Sequence, residues 1–460
     1  MSDREVNLKI LLRAPIDRAD MTMDERNALL VRVKDDVAES VLSNNRSQSR
    51  ALSLEQLRAT DRLSDFRDAS YYLEHEVGLK RAEEHLPGWG RLQAREEAGK
   101  SMTRPELAVL LAYSKLHLKR EILASALPDD PALTELLCGY FPRPVIERIL
   151  EGDLRQHRLQ REITATVLTN RLIDLMGVTF IPRAARDTGA SPAAIARGWY
   201  VAAAIAGAGE LLETVERNRE RLPPEQEHRW LLALEGVLDR TVRWAVENLP
   251  EEAEVGPVID AFKGPVSDLL NVLPEIIAGS QRAALEEVLQ ELRSSGITTD
   301  EARKLAALQF LGQLMAATQI AHERGRPATD VGHVYCALAE DVDFARLTDL
   351  LDTVPGDDEW EQRAAQGLLQ DLAQVRRNLT LAVLANGGNR VPVDRQLAAF
   401  RGRHSGRLRA TREVCEELVA TENINLAALT VATREVVRHS RAIRREYECN
   451  GSNSNPASGG

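Results

Sequence analysis

The sequence predicts a mainly α protein with multi-helix bundle architecture and no complete Rossmann sheet, on three observations. Aromatic residues make up only 4% of the chain, and its long runs are rich in Leu, Ala, Glu, Arg and Gln, which favour helices over strands. Three capping boxes, Thr22 with Glu25, Thr103 with Glu106 and Thr298 with Glu301, mark helix starts. Proline and glycine punctuation then closes the apolar runs at short intervals.

Residues 101–183 organise the chain. Thr103 and Glu106 open a helix in which Pro105 is tolerated, because a first-turn N–H has no intrahelical partner. Leu107, Leu110, Leu111, Leu118 and Ile122 form its main stripe. Val109, Ala112, Leu116 and Leu123 lie between them, so the helix is apolar around most of its circumference and belongs in a core. Leu127-Pro128-Asp129-Asp130-Pro131 stops it, and Tyr140-Phe141-Pro142-Arg143-Pro144 punctuates again. A long amphipathic run follows from His157 through Leu168, Leu172, Leu175 and Met176, with Gly177 as its C-terminal cap.

Upstream, residues 1–13 form a short helix-like run that begins in mid-pattern. Thr22 and Glu25 open a helix through Leu29, Val33, Val37 and Val41 that is expected to end at Asn44-Asn45. Helices are expected around residues 52–67 and 71–86, the second closed by Pro87-Gly88. Downstream, residues 177–182 read as the most extended piece. Further helices are expected from Ser191-Pro192 to Val201, and from Leu231 to Trp244 before the acidic break at residues 250–254. Beyond it the helical theme repeats over residues 283–292, 298–315, 331–338, 360–384 and 408–447, with no fixed period that would make a solenoid. The low-complexity residues 450–460 are expected to be disordered.

Composition excludes several classes. With 59 basic and 70 acidic residues the net charge is −11, so no general attraction to nucleic acid or to an anionic membrane is expected. Cys138, Cys336, Cys415 and Cys449 lack the paired spacing of a zinc site or a disulfide framework, which fits a reducing cytoplasm. The charged N-terminus has no apolar leader, and no run approaches the roughly 18 apolar residues of a membrane span. An exported or membrane-embedded protein is not expected.

Chemical motifs are scarce. Ala206-Gly207-Ala208-Gly209-Glu210 lacks a preceding strand and a third glycine, so it reads as small residues at a close helix contact rather than a nucleotide loop. His322-Glu323 and His333 miss the two-ligand i, i+4 spacing of a metal site. His157, beside Arg158 and Arg161, reads as a helix-surface or helix-packing residue. Arg401, Arg403, His404, Arg407, Arg409 and Arg412 make a basic cluster without alternating aromatics, which reads as a solvated helix face or subunit contact. Trp89, Trp199, Trp230, Trp244 and Trp360 are too dispersed for a binding platform and are assigned to core or interface positions.

The organising stretch carries a resemblance. Residues 103–113, the 127–131 stop, Tyr140-Phe141-Pro142, His157-Arg158-Leu159, Arg161-Glu162-Ile163, Asn170, Gly177 and Thr179-Phe180 resemble the C-terminal region of the large bacterial NAD-dependent glutamate dehydrogenases. Residues 2–9 resemble the segment closing that family's catalytic domain, and Asn44-Asn45 with Gln48 resemble its following helix. Thr188-Gly189-Ala190, Arg243-Trp244 and the 360–384 helix fit more loosely.

The resemblance implies oxidative deamination of L-glutamate to 2-oxoglutarate and ammonium with NAD as cofactor. It also implies that the catalytic lysine, the catalytic aspartate and the glycine-rich NAD loop lie upstream of Met1, so that this chain alone binds no NAD and is inactive. Ser2 is the one position carried over, matching the serine that helps hold the substrate side-chain carboxylate. The implied organisation is a catalytic-domain tail over residues 1–43, helical regions over 44–250 and 251–449, and a tail over 450–460. The implied partners are the catalytic core and neighbouring subunits of a homo-oligomer, for scaffolding or regulation in the cytoplasm. A stand-alone helical adaptor that grips another protein through grooves between helices is the alternative.

Overall fold

A computed structural model describes residues 3–218, 223–250, 253–294, 297–353, 359–385, 391–421 and 424–452. It is 84% helical, and no strand occurs among the described residues. The chain divides into two compact units, residues 1–260 and 261–460.

The first unit opens with α1 (Asp3–Leu11), α2 (Arg13–Asp17) and α3 (Met23–Arg32). Leu8, Leu11, Leu12, Met21, Leu29 and Val33 from this stretch pack against Leu137, Phe141, Val145, Leu154 and Ile163, giving a small core of its own. The Thr22 box forms as expected: Thr22 N–H donates to Glu25 Oε2 (2.8 Å) and Glu25 N–H donates to Thr22 Oγ1 (3.2 Å).

Two expected boundaries move. α4 (Lys34–Asp61) runs straight through Asn44-Asn45. A mid-helix Asn costs only about 0.7 kcal/mol relative to Ala, and burial of Ala51, Leu54 and Ala59 on the same helix outweighs that. α5 (Leu63–Val77) starts directly after Arg62 and stops at Gly78, whose φ of 68° ends the helix, so residues 78–88 turn instead of continuing it.

After α6 (Trp89–Glu97) comes α7 (Arg104–Ala124), where Thr103 N–H donates to Glu106 Oε2 (2.7 Å). Leu107, Leu110, Leu111, Leu118 and Ile122 are buried, and α7 packs against α4 and α5. One flank stays open, since Leu116 is 61% exposed. The short helices α8 (Thr134–Cys138), α9 (Arg143–Ile146) and α10 (Glu151–Arg155) lead to α11 (Gln160–Met176), the helix that lies against α7 and ends at Gly177 with φ 82°. Residues 177–182, expected to be extended, instead form a turn and the start of α12 (Phe180–Thr188). Pro182 falls in that helix's first turn, where no N–H is needed.

Ser191 caps α13 (Pro192–Ala206) by accepting from Ala194 N–H (3.1 Å). Gly207 (φ 65°) then separates it from α14 (Ala208–Asn218). A Cβ at Gly207 or at Gly209, in the first turn of α14, would meet nothing within 4 Å, so neither makes the close helix contact expected of it. The close approach occurs at Gly198, where a Cβ would come within 3.0 Å of Val246 on α15 (Pro224–Asn248). α16 (Val255–Ile276) was not among the expected helices, and it carries Pro265 and Pro274 in its interior. Its buried Val255, Val258, Phe262, Val266, Leu269 and Leu273 keep the three- and four-residue step of a core helix.

The second unit holds α17 (Gly279–Ser294), α18 (Thr299–Ala307), α19 (Leu311–Arg324), α20 (Ala328–Val342), α21 (Phe344–Thr353), α22 (Glu359–Ala385), α23 (Val393–Val419) and α24 (Leu426–Ser452). The single helix expected over 408–447 is two. α23 ends at Val419, and Asn425 restarts the chain by accepting from Ala428 N–H through its side chain (3.0 Å). α22 packs on α24 and α20 on α23. Gly451 and Ser452, expected in the disordered tail, finish α24, and residues 453–460 lie outside the described residues.

Candidate functional site

Two polar constellations stand out in the first unit. The first surrounds α1. Ser2 lies outside the described residues, but the helix that follows it is held by the stretch the sequence singled out. The Arg4 guanidinium lies over the Tyr140 ring, 4.5 Å from its centroid, and Asn7 Nδ2 donates to the Tyr140 hydroxyl (2.9 Å). His157 Nε2 donates to the Asn7 carbonyl (3.1 Å), while Nδ1 accepts from Leu159 N–H (3.1 Å), a pairing that assigns the neutral Nε2–H tautomer. Burial pushes the His157 pKa down. His157 is therefore a buried packing residue in the turn before α11, with both ring nitrogens occupied.

A charged pair supports the same junction. Arg18 donates to both oxygens of Asp153 (2.5 and 2.9 Å), and Asp153 also accepts from Leu150 N–H (3.0 Å) at the start of α10. Arg18 holds the Asp153 carboxyl below the usual carboxylate range.

The second constellation is buried where α4, the α11–α12 turn and α15 meet, with the half-exposed Arg62 reaching Glu235 Oε1 from outside (3.5 Å). Arg58 donates from Nη1 to Glu55 Oε1 (2.6 Å), from Nε and Nη2 to Glu235 Oε2 (2.9 and 2.8 Å), and from Nη2 to the Leu175 carbonyl (2.5 Å). Val178 N–H reaches Glu55 Oε1 (3.3 Å), and the other Glu55 oxygen is buried without a hydrogen-bond partner. Burial pushes the Glu55 carboxyl up, with Arg58 pulling it down and Glu235 adding to the rise. Gly177 is required here, because a Cβ would fall 2.4 Å from Glu55 Oε1 and its φ is positive.

This cluster was not foreseen, although Glu55 and Arg58 interrupt the apolar positions Ala51, Leu54 and Ala59 of one helix, which was its only sequence signal. The crevice beside it, lined by Tyr72, Ser114, His117, Ile173, Val178 and Pro182, has room for about one water. The cluster's three side chains are at most 6% exposed, and it acts as a charged latch joining three helices.

The other candidates separate. In the basic cluster on α23, Arg401 pairs with Asp341 (2.8 Å), Arg407 pairs with Glu446, and His404 is buried with Nε2 3.2 Å from the Tyr447 hydroxyl. Arg401 and Arg407 thus bind acidic partners within their own unit, while Arg403 lies over the Tyr447 ring (5.9 Å) and Arg412 donates to the Asp341 carbonyl (3.3 Å). Trp199 and Trp230 are buried as expected, whereas Trp360 is 74% exposed with Arg363 beside its ring. His333 lies 3.6 Å from Asp394, and no group of three or more metal-ligating side chains occurs among the described residues. No strand precedes Gly207 among those residues, and Gly209 lies in the first turn of α14, so the segment lacks the strand–loop–helix setting of a dinucleotide loop. No helix among them is long and apolar enough to cross a membrane.

Comparison with known proteins accounts for this distribution. The family model for the glutamate dehydrogenase C-terminal region matches residues 99–438. The model for the bacterial NAD-glutamate dehydrogenase catalytic domain matches residues 1–55. NAD-specific glutamate dehydrogenase of Mycobacterium tuberculosis is 31% identical over 96% of this chain, and those of Pseudomonas aeruginosa and Halomonas elongata are each 30% identical over 95%. The chain spans 27% of the length of each of these relatives. Its helical body and the small catalytic-domain segment stitched to it by Tyr140, Asp153 and His157 place the chain in the bacterial NAD-specific glutamate dehydrogenase family, of which it represents a helical portion.

Proposed function

We propose that this chain serves as the C-terminal helical portion of an NAD-specific glutamate dehydrogenase, carrying the end of the catalytic domain on a rigid helical support. In this reading the complete enzyme converts L-glutamate, NAD and water to 2-oxoglutarate, ammonium and NADH, and NAD binds outside this chain. The helical body acts as scaffold for the catalytic core and for neighbouring subunits of a homo-oligomer. The free thiols of Cys138, Cys336 and Cys415 suit work in the reducing cytoplasm.

The observation that carries the proposal is the junction itself. The segment that matches the catalytic domain shares a core with residues 137–163 and is fixed to them by the Arg18–Asp153 pair and the His157–Asn7 bond. An adaptor would have no reason to keep the end of a catalytic domain in that core. The test is isolation of the tagged protein from its source cells, followed by an assay for glutamate-dependent NAD reduction. Co-purifying activity is expected, with none in the separately purified 460-residue chain. Absence of activity from the isolated assembly overturns the reading, and turnover by the chain alone overturns the assignment of catalysis to residues outside it.

A further inference from the structure

Large apolar side chains that remain exposed are unevenly spread. Of the twelve among the described residues, five fall within the first 57 of 460 positions: Val6, Met23, Val31, Leu42 and Leu57. On α3, Met23 and Val31 are eight residues apart and share a face, at 53% and 77% exposure. On α4, Leu42 is 52% exposed on the side away from the core positions.

The core-facing stripe of α4 is also interrupted. Val37, Val41, Asn44, Gln48, Ala51 and Glu55 recur at three- and four-residue steps along one face. Val37 packs against the small core at one end, and Ala51 and Glu55 are buried in the main body at the other. Between them Asn44 and Gln48 are exposed and Val41 is only half-buried, so the stripe is covered at both ends and bare in the middle. The neutral amides Asn44 and Gln48 on the stripe can bond a backbone, and Leu42 is exposed on the opposite side of the helix, so this stretch of α4 is open on two sides.

We infer that the open stretch of α4, together with the Met23–Val31 face of α3, is the docking surface for the remainder of the catalytic domain. The occupant follows from the match. This surface lies wholly within residues 1–55, the part that corresponds to the catalytic domain, and the relatives carry most of their length outside the part aligned here. A surface that belongs to a domain but is bare without the rest of it is that domain's internal packing face. The inference rests on the proposed function and adds the place of contact.

The test uses a benzophenone photo-crosslinking side chain placed at Val31, Leu42 or Gln48 in the protein as it occurs in its source cells, with Leu150, 61% exposed but outside the surface, as control position. Cross-linked peptides are identified by mass spectrometry. The expected result is that all three positions join to peptides matching the catalytic domain, while Leu150 does not. Cross-links only to a second copy of this chain, or none at the three positions, overturn the inference. If catalytic-domain peptides are present in the preparation but not cross-linked there, the docking surface fails and the proposed function stands. If no such peptides are present, both fail.

Discussion

The two polar constellations of the first unit use similar groups in opposite surroundings. Arg58 lies between Glu55 and Glu235 with all three buried, whereas Arg18, 39% exposed at its side chain, grips Asp153 from the edge. In the interior, charges attract strongly but each has lost its hydration, so the group stands only while complete. At the edge, water reaches and screens Arg18 while Asp153, 3% exposed at its side chain, keeps the Leu150 N–H when the arginine lets go, so the contact can be loosened without collapse. The enclosed latch fixes the helical body. The edge contacts hold the catalytic-domain segment in a way that can respond to conditions.

Breaking each seam should expose that difference. Arg58→Leu leaves Glu55 buried without its cation and Glu235 with only Arg62 at 3.5 Å, and should cost about 3–5 kcal/mol, read as a lowered urea midpoint. Gly177→Ala forces a Cβ against Glu55 at positive φ and should cost roughly 1–3 kcal/mol by the same measurement. Asp153→Asn weakens a buried acceptor that keeps its Leu150 N–H, and should cost about 1–3 kcal/mol. Its main effect should be local, with faster hydrogen exchange in α1 to α3 while α7 and α11 stay protected. Thr22→Ala removes only the α3 cap, and about 1 kcal/mol at most should be lost, again confined to α3.

Acid sharpens the comparison further. The pKa values of both His157 and Asp153 are depressed in the folded state, so each contributes stability above its unfolded value that is lost as pH falls through its folded value. Protonating His157 also puts a proton on Nδ1, which accepts from Leu159 N–H. Exchange of α1 amides should therefore rise as pH falls below about 6.5, the ordinary histidine value, and rise further in the carboxylate range. A flat profile across both ranges would show that these groups do not hold the junction.

Helix identity was legible wherever local chemistry carried it. The capping residues Thr22, Thr103 and Ser191 and the terminating Gly177 act where the sequence placed them. Boundaries failed where packing overrode local preference: Asn44-Asn45 did not stop α4, and Pro265 and Pro274 did not prevent α16. The two constellations differ in the same way. His157 was visible as a packing residue of a recognisable motif, although its partner Asn7 is 150 positions away. The Glu55–Arg58–Glu235 latch joins residues separated by 177 positions, and no single stretch of sequence reveals that Glu235 completes it.

The measurement that tests the central claim most directly is native size-exclusion chromatography of a source-cell extract, followed with an antibody against residues 101–200 and an assay for glutamate-dependent NAD reduction. The account predicts that antibody signal and activity elute together, at a mass well above the 51.0 kDa of this chain. Antibody signal near 51.0 kDa, separate from all such activity, would contradict it.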